Sequence, residues 1–347
     1  MKIIGAGISG LAAAYFLRDH HPIIYEKTGR AGGWIRSVEQ DGFLFELGPR
    51  GFRPHPDTLQ LARELELKPL PCSSDAKKRF LLVGDQLKPL SLFLLLKNGL
   101  LKDLFTQPSQ ASDETIATFF RRHFGQRFVE NIADPVVKGI YAGDCEKLSV
   151  KNCFPTLWER DQKYGRLLHL PKRSKVALYS FQNGMEELTQ ALAKRVEIRY
   201  NSTSEEGIIA CPWKEAPPYL SLTTVSLGWH EEKLPKSGFG FLAASKEQKP
   251  FLGMTFDSNV FPTQKGKTRV CVMTLEKEGR EIALDAVSRY LGLSNPESIL
   301  VHHCENAIPQ YPLGYIKPDH LGHNCSVNSC IQAAKLLLTR LTSITNI

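Results

Sequence analysis

Ile3-Ile4-Gly5-Ala6-Gly7-Ile8-Ser9-Gly10-Leu11-Ala12-Ala13-Ala14-Tyr15-Phe16-Leu17 lies at the start of the chain and decides its fold. Two isoleucines end a buried strand, a Gly-x-Gly-x-x-Gly turn follows at once, and strong helix formers with an apolar face come next. Gly5 permits the tight turn, Gly7 lets the backbone approach a pyrophosphate, and Gly10 lets the helix pack closely on the sheet. Ser9 lies in the same turn, where free N–H groups and the positive end of the helix dipole meet phosphates. A second apolar strand, Pro22-Ile23-Ile24-Tyr25, ends in Glu26, 21 residues after Gly5, with Lys27 behind it. An acidic side chain at that distance is placed to accept hydrogen bonds from a ribose.

Dinucleotides of two kinds use such a turn, and the next segment separates them. Arg30-Ala31-Gly32-Gly33-Trp34 follows the glutamate directly. Paired glycines let a chain run beside a bulky cofactor with no Cβ in the way. The Rx-Gly-Gly segment resembles the second pyrophosphate loop of FAD proteins, which favours FAD over NAD.

Composition limits the remaining classes. The 347 residues suffice for two or three connected domains, and 42% apolar with 23% charged residues is ordinary for a globular protein. A formal charge of +8 suits an acidic ligand, an anionic membrane surface or nucleic acid. The basic clusters are short, and no helix-turn-helix, zinc-finger or aromatic RNA-binding signature accompanies them, so no nucleic-acid partner is expected. Eight cysteines without CxxC spacing indicate neither a zinc site nor a disulfide framework; no metal is expected and reduced thiols fit best. With a motif beginning at the third residue, no signal peptide is expected. The longest apolar run, Leu90 to Leu96, is far short of the ~20 residues of a spanning helix.

Residues 56–170 read as mainly helical. Pro56-Asp57 opens one helix, and Asp113 is a candidate cap for another with Ile116, Phe119, Phe120 and Phe124 on one face and Gly125 past its end. The apolar run at 90–96, flanked by lysines, reads equally as a buried helix or as a stretch resting in a bilayer interface. Short β runs dominate 176–275, interrupted by a helix from Met185 to Arg195, and a last helix begins near Cys330.

Longer motifs carry a resemblance along the whole chain: Gly32-Gly33-Trp34-Ile35-Arg36-Ser37, Phe45-Glu46-Leu47-Gly48-Pro49-Arg50-Gly51-Phe52, Gly139-Ile140-Tyr141-Ala142-Gly143-Asp144, Leu252-Gly253-Met254-Thr255-Phe256-Asp257-Ser258 and Val327-Asn328-Ser329-Cys330-Ile331. The chain resembles the oxygen-dependent porphyrinogen oxidases of the amine oxidase–like flavoprotein superfamily. That resemblance implies α/β and α+β architecture: an FAD-binding Rossmann-like domain, a mixed-sheet substrate domain and a helical membrane-associated segment. The expected bounds are 1–55, 171–215 and 316–347 for the FAD domain, 56–170 for the helical segment and 216–315 for the β-rich substrate domain. It also implies a six-electron oxidation of a porphyrinogen in haem biosynthesis, by hydride transfer to FAD, with O2 as acceptor and H2O2 as product. Protoporphyrinogen is the main reading and coproporphyrinogen the alternative. Peripheral contact with a bacterial cytoplasmic membrane, or with a mitochondrial inner membrane, is expected, and a homodimer stays open.

Arg50 is the residue expected to pair with a substrate carboxylate, as the matching arginine of the family does and as guanidinium geometry suits. By resemblance Leu242, Thr255 and Met273 face the porphyrinogen rings, and Ala142 and Gly143 pass close to the flavin or substrate. Gly48, Pro49 and Val327 join the glycine loops among the expected cofactor contacts. No catalytic triad is visible, and the flavin is expected to carry the chemistry. An amine oxidase or desaturase on this scaffold would favour an aromatic cage or a flavin-facing lysine, for which there is no motif. A non-enzymatic prenyl-protein escort relative would not need the intact Rx-Gly-Gly and Gly-Pro-Arg-Gly segments. Three spans, near 201–206, 213–219 and 316–324, are compressed against the family pattern. Either the chain is a reduced member or loops have been omitted there and the numbering closed over them.

Overall fold

The computed structural model describes residues 1–168, 176–212, 216–317, 321–323 and 326–345. Its strands are β1 (Lys2–Ile4), β2 (Ile23–Tyr25), β3 (Ser37–Gln40), β4 (Phe43–Glu46), β5 (Leu70–Pro71), β6 (Phe80–Val83), β7 (Gln86–Pro89), β8 (Tyr179–Ser180), β9 (Glu197–Arg199), β10 (Ile208–Ile209), β11 (Tyr219–Trp229), β12 (Gly240–Ala243), β13 (Gly253–Thr255), β14 (Thr268–Thr274) and β15 (Ser298–Pro309). The helices that organise them are α1 (Ile8–Phe16), α2 (Pro56–Glu64), α3 (Leu92–Lys97), α4 (Ile116–Phe124), α5 (Asp134–Tyr141), α6 (Pro155–Tyr164), α7 (Glu186–Ala193), α8 (Arg280–Leu291) and α9 (Val327–Thr345).

The N-terminal motif folds as a strand–turn–helix. β1 is the inner strand of a parallel sheet ordered β10-β1-β2-β9, so segments some 200 residues apart in sequence build one dinucleotide-type sheet. Ile3, Leu11 and Ile24 are fully buried, and Ile331 and Ala334 of α9 pack in the same core. Residues 200–207 link β9 directly to β10, with the Asn201 and Ser202 amides donating to Thr28 and Glu26 carbonyls. Of the other two compressed spans, residues 213–215, 318–320 and 324–325 lie outside the described residues.

The second sheet has seven strands in the order β15-β11-β14-β13-β12-β6-β7, antiparallel except where β12 meets β6. Alternation gives it two unlike faces. Val225, Leu227, Phe241, Met254, Val270 and Val272 point to one face and pack on Ala283, Ala286 and Val287 of α8. The opposite face is smaller and more polar, and it bears the candidate site.

Three expectations change. β6 and β7 come from the segment read as helical and extend the second sheet, because Phe80-Leu81-Leu82-Val83 is a short apolar run whose period cannot separate strand from helix. The cap of α4 is Thr115, whose hydroxyl accepts from Thr118 N–H, while Asp113 accepts instead from Glu114 N–H and Ser149 Oγ–H. The stretch at 90–96 is not a buried helix: Leu92 and Phe93 of α3 are 65% and 76% exposed. Leu101, Leu104 and Phe105 of the following 3-10 turn are exposed beside them. No helix among the described residues is long and apolar enough to cross a membrane.

Candidate active site

Two loops form the cofactor end. The Gly32 amide donates to Ala6 O at 2.8 Å, tying the Rx-Gly-Gly loop to the Gly5–Gly10 turn. A Cβ built on Gly10 would fall inside the radius of Gly5 O, whereas one on Gly7 would meet nothing within 4 Å. The turn is thus closed toward the sheet and open outward at Gly7, the shape that admits a pyrophosphate to backbone N–H groups. Ser9 is buried in the first turn of α1. Gly33, its φ at +58°, lies against the Gly7 backbone, and a Cβ there would come within 3.1 Å of Gly7 Cα. Gly48 is pressed on the Trp34 carbonyl, which leaves the Trp34 ring 47% exposed beside the open turn.

Glu26 is buried at the end of β2. One of its oxygens accepts from Ala6 N–H at 2.8 Å and the other from the amide and hydroxyl of Thr28. It therefore braces the phosphate turn, a role the spacing did not reveal, and a ribose would have to share its remaining lone pairs. Arg30 does not extend into open space: its guanidinium donates to the carbonyls of Ala31, Gly33 and Ile35 and pairs with Glu186. Its observed role is to hold the glycine loop in shape. Lys27 is exposed, Pro49 is half-buried, and Val327, at the start of α9, is buried in the core with Ile3 and Leu11, not aimed at an open surface.

The expected substrate residues share one face of the second sheet. Leu242, Gly253, Met273, Thr224 and His302 are consecutive partners across β12, β13, β14, β11 and β15; Gly240, Thr255, Cys271, Ser226 and Leu300 form the next row. Gly139 of α5 is packed on the Leu242 side chain, and Ala142, in a left-handed conformation just after α5, clusters with Leu222, Leu252 and Met273. Gly143 is hemmed by Gln310 and Leu148, so it has no room for a side chain. His302 is held below its ordinary pKa by burial first, then by Arg36, His303 and Arg30. The glycine-loop arginines therefore stand near this face.

Arg50 occupies the edge of that face. Its Nε donates to Asp257 Oδ1 at 3.0 Å, Thr255 Oγ–H donates to the same oxygen at 2.7 Å, and Nη2 is buried without a partner. Burial alone would weaken its protonation, but Asp257, by charge and hydrogen bond, and Glu46 favour the guanidinium, so it stays charged. A narrow cavity of about 10 Å³ beside it is lined by Glu46, Arg50, Phe239, Asp257, Phe261 and Arg269, among others, and not by Leu242, Thr255 or Met273. That is room for about one water molecule and far below a small-molecule site, so a substrate carboxylate reaches Arg50 only if these side chains move apart. Arg269 differs from Arg50: its nitrogens donate to the carbonyls of Leu44, Phe261 and Gly266 and to Gln264, making it structural.

Asp257 and Glu46 were not singled out as site residues, although both stand in quoted motifs. The available signal for Glu46 was a carboxylate closing the apolar run Phe43-Leu44-Phe45. Its oxygens accept from Met185 N–H and Ser37 Oγ–H, and burial pushes its pKa up to about 7.

Glycine loops shaped for a pyrophosphate, joined to a mixed sheet with one small polar face, define a flavin-binding oxidoreductase. The chain belongs to the flavin containing amine oxidoreductase family, whose model matches residues 8–206. FAD is its cofactor, and the open Gly7 turn with the Gly32-Gly33 loop fits that group. The chain is 32% identical to bovine protoporphyrinogen oxidase over 420 aligned positions, covering 90% of this chain and 88% of the bovine one. It is 25% identical to coproporphyrinogen III oxidase of Staphylococcus aureus over 91% of this chain and 89% of that one. The crystal structure of a putative protoporphyrinogen oxidase from Exiguobacterium shares the fold, with a TM-score of 0.78, 18% identity and 98% of each chain covered. The bovine alignment uses about 312 of the 347 residues here, so about 108 of its positions have no counterpart in this chain.

Proposed function

We propose that this chain oxidises a porphyrinogen, protoporphyrinogen in the main reading, and that Arg50 anchors a propionate of the substrate. The observation carrying the proposal is the guanidinium of Arg50: half-buried, charged, held along one edge by Asp257, beside the Cys271 thiol, and with a buried Nη2 that makes no hydrogen bond, next to the Leu242–Thr255–Met273 face. A buried donor without a partner is rare and calls for one, and a carboxylate is the natural complement of a guanidinium edge.

The Gly5–Gly10 turn and the Gly32-Gly33 loop would hold FAD, which would supply a two-electron acceptor for the oxidation, with O2 as the proposed final oxidant. The residues of the chain orient and desolvate. Arg50 fixes the ring by its carboxylate, Leu242 and Met273 offer apolar contact to a flat disc, and the close packing of Gly139 and Gly143 keeps α5 near the sheet. Because aromatisation drives the oxidation, no strong base is required, and none is assigned.

The exposed Leu92, Phe93, Leu101, Leu104 and Phe105, with Lys97 and Lys102 among them, support peripheral membrane contact for an apolar substrate and product. The coproporphyrinogen reading is favoured by the similarity to the staphylococcal enzyme. Competition between the two porphyrinogens, followed by porphyrin fluorescence, separates them. The decisive experiment records the flavin spectrum of the purified protein and its bleaching on anaerobic addition of protoporphyrinogen. A yellow protein that neither bleaches nor consumes O2 with either porphyrinogen would overturn the assignment.

A further inference from the structure

Four charged side chains meet beneath the substrate face: Arg50, Asp257, Arg269 and Glu46. Three of them are buried, with Arg269 2%, Glu46 5% and Asp257 8% exposed, while the Arg50 side chain is half-buried at 18%. With both acids ionised the group is electrically neutral. Seating a carboxylate on Arg50 then leaves one uncompensated negative charge where water screens it poorly, an unfavourable state unless a proton is gained.

The four groups differ in which can take that proton. Asp257 accepts from both Arg50 Nε and Thr255 Oγ on a single oxygen, so that oxygen is already committed to two donors. Arginine gives up no proton in this range. Cys271, on the same face, is already a thiol, its pKa raised by burial. Glu46 has one neutral donor per oxygen, Met185 N–H at 2.7 Å and Ser37 Oγ–H at 2.9 Å, and no bonded arginine. The charged groups facing it are Arg50, after β4, Asp257, after β13, and Arg269 on β14; β3 and the start of α7 give it Ser37 and the Met185 amide, with the Glu186 carboxylate on the far side of Ser37, accepting from its amide and paired with Arg30. Burial is the largest influence on Glu46 and favours its neutral form, placing its titration near pH 7, where one more negative neighbour decides its state.

We infer that Glu46 takes up a proton when a substrate carboxylate seats on Arg50, so that this site accepts carboxylate and proton together. This rests on the proposed porphyrinogen reading of the same site.

The test uses the flavin-loaded protein and two probes, protoporphyrin IX and its dimethyl ester, titrated by fluorescence in detergent micelles between pH 6 and 9. For the wild type the Kd of the free acid should rise about tenfold from pH 7.5 to pH 8.5, the slope of one linked proton. Glu46→Gln should bind it with a Kd flat within about twofold, close to the wild-type value at pH 6. The ester should bind weakly, with no pH slope in either protein. Calorimetry of the wild type at pH 8, in two buffers of different ionisation enthalpy, should report about one proton taken up per porphyrin, independently of any variant. An unchanged slope in Glu46→Gln, or zero proton uptake in the wild type, overturns the coupling while leaving the porphyrinogen reading intact. Equal, pH-independent binding of acid and ester removes the Arg50 anchor and the coupling with it. A flavin-loaded protein that binds neither probe refutes the porphyrinogen site itself.

Discussion

Two alanine substitutions in one turn should separate folding from cofactor binding. At Gly10 a new Cβ would overlap Gly5 O, stand 3.2 Å from Gly5 C and 3.3 Å from Ala210 Cβ. The first two neighbours are backbone of the turn and the third belongs to the segment after β10, so no flexible side chain can swing aside. Carbon atoms prefer about 3.5–4.0 Å, so α1 must slide off the sheet. Overpacking of this kind costs about 1–3 kcal/mol, and a rigid surround places Gly10→Ala toward the upper end. In a chain of this size that is a fall of roughly 3–4 °C in Tm, present in flavin-free protein too. At Gly7, with φ −70° and ψ 177°, any residue is unstrained and a Cβ meets nothing. Gly7→Ala should leave the flavin-free Tm within about 1 °C of wild type. Its methyl group would nonetheless stand where the pyrophosphate approaches. Loss of a charge-assisted hydrogen bond, about 1.5–3 kcal/mol, weakens FAD about ten- to a hundredfold. Differential scanning fluorimetry of stripped protein and titration with FAD read the two effects separately. If Gly7→Ala bound FAD as wild type does, or if stripped Gly10→Ala melted at the wild-type temperature, this assignment of roles within the turn would be refuted.

Asp103 is fully buried, accepting from the amides of Leu167 and Leu168 and lying 2.6 Å from His123 Nδ1. Burial opposes its charge but these partners prevail, and its pKa is lowered, so its ionised form stabilises the fold above about pH 4 and that contribution fades as pH falls through the folded value. Asp103→Asn should therefore cost about 3–5 kcal/mol in urea denaturation at pH 7 and distinctly less near pH 3; an equal deficit at both would contradict the charge argument. Asp257→Asn should raise KM for porphyrinogen about tenfold with kcat within about twofold and FAD affinity unchanged, because Arg50 loses its charged partner but flavin contacts remain; a kcat loss matching the KM change would point to a different role. Phe93→Glu with Phe105→Glu should abolish flotation with anionic vesicles while leaving Tm within about 1 °C, since both side chains are largely exposed; unchanged flotation would remove the membrane face.

The first sheet was legible because its signals are local. β1, the turn, α1 and β2 are contiguous, and the spacing from Gly5 to Glu26 follows from one strand–helix–strand unit. What joins β9 and β10 to that unit is a long-range pairing that no window near residue 200 contains. The face shared by Leu242, Thr255 and Met273 was reachable through resemblance, but the pairing that makes it a face needs the register of β12, β13 and β14. Helix α8 and the length of β15 went unread. Arg280–Leu291 mixes charges into its apolar stripe, and Ser298–Pro309 alternates too imperfectly for a period-two signal. Arg30 and Glu26, expected to contact the cofactor, also satisfy backbone groups of their own loops, a second role invisible without coordinates.

The two faces of the seven-stranded sheet explain how the chain can be so much shorter than its relatives and still hold a site. The face carrying Val225, Phe241 and Val272 is closed by α8 and needs nothing from the flavin sheet. The other face cannot close on itself: Thr255, Ser226 and Cys271 give it little apolar area, and it is covered from β4 and α5 by Glu46, Arg50, Gly139 and Ala142. Those covering residues belong to the longest uninterrupted motifs in the sequence, whereas the compressed spans sit at 201–206, 213–219 and 316–324, away from them. Between β9 and β10 a short connection, residues 200–207, suffices. Loss of chain would be ruinous along Phe43–Arg50, where one strand supplies Phe43 and Phe45 to the core and Glu46 to the charged group, and the turn after it supplies Arg50 to that same group.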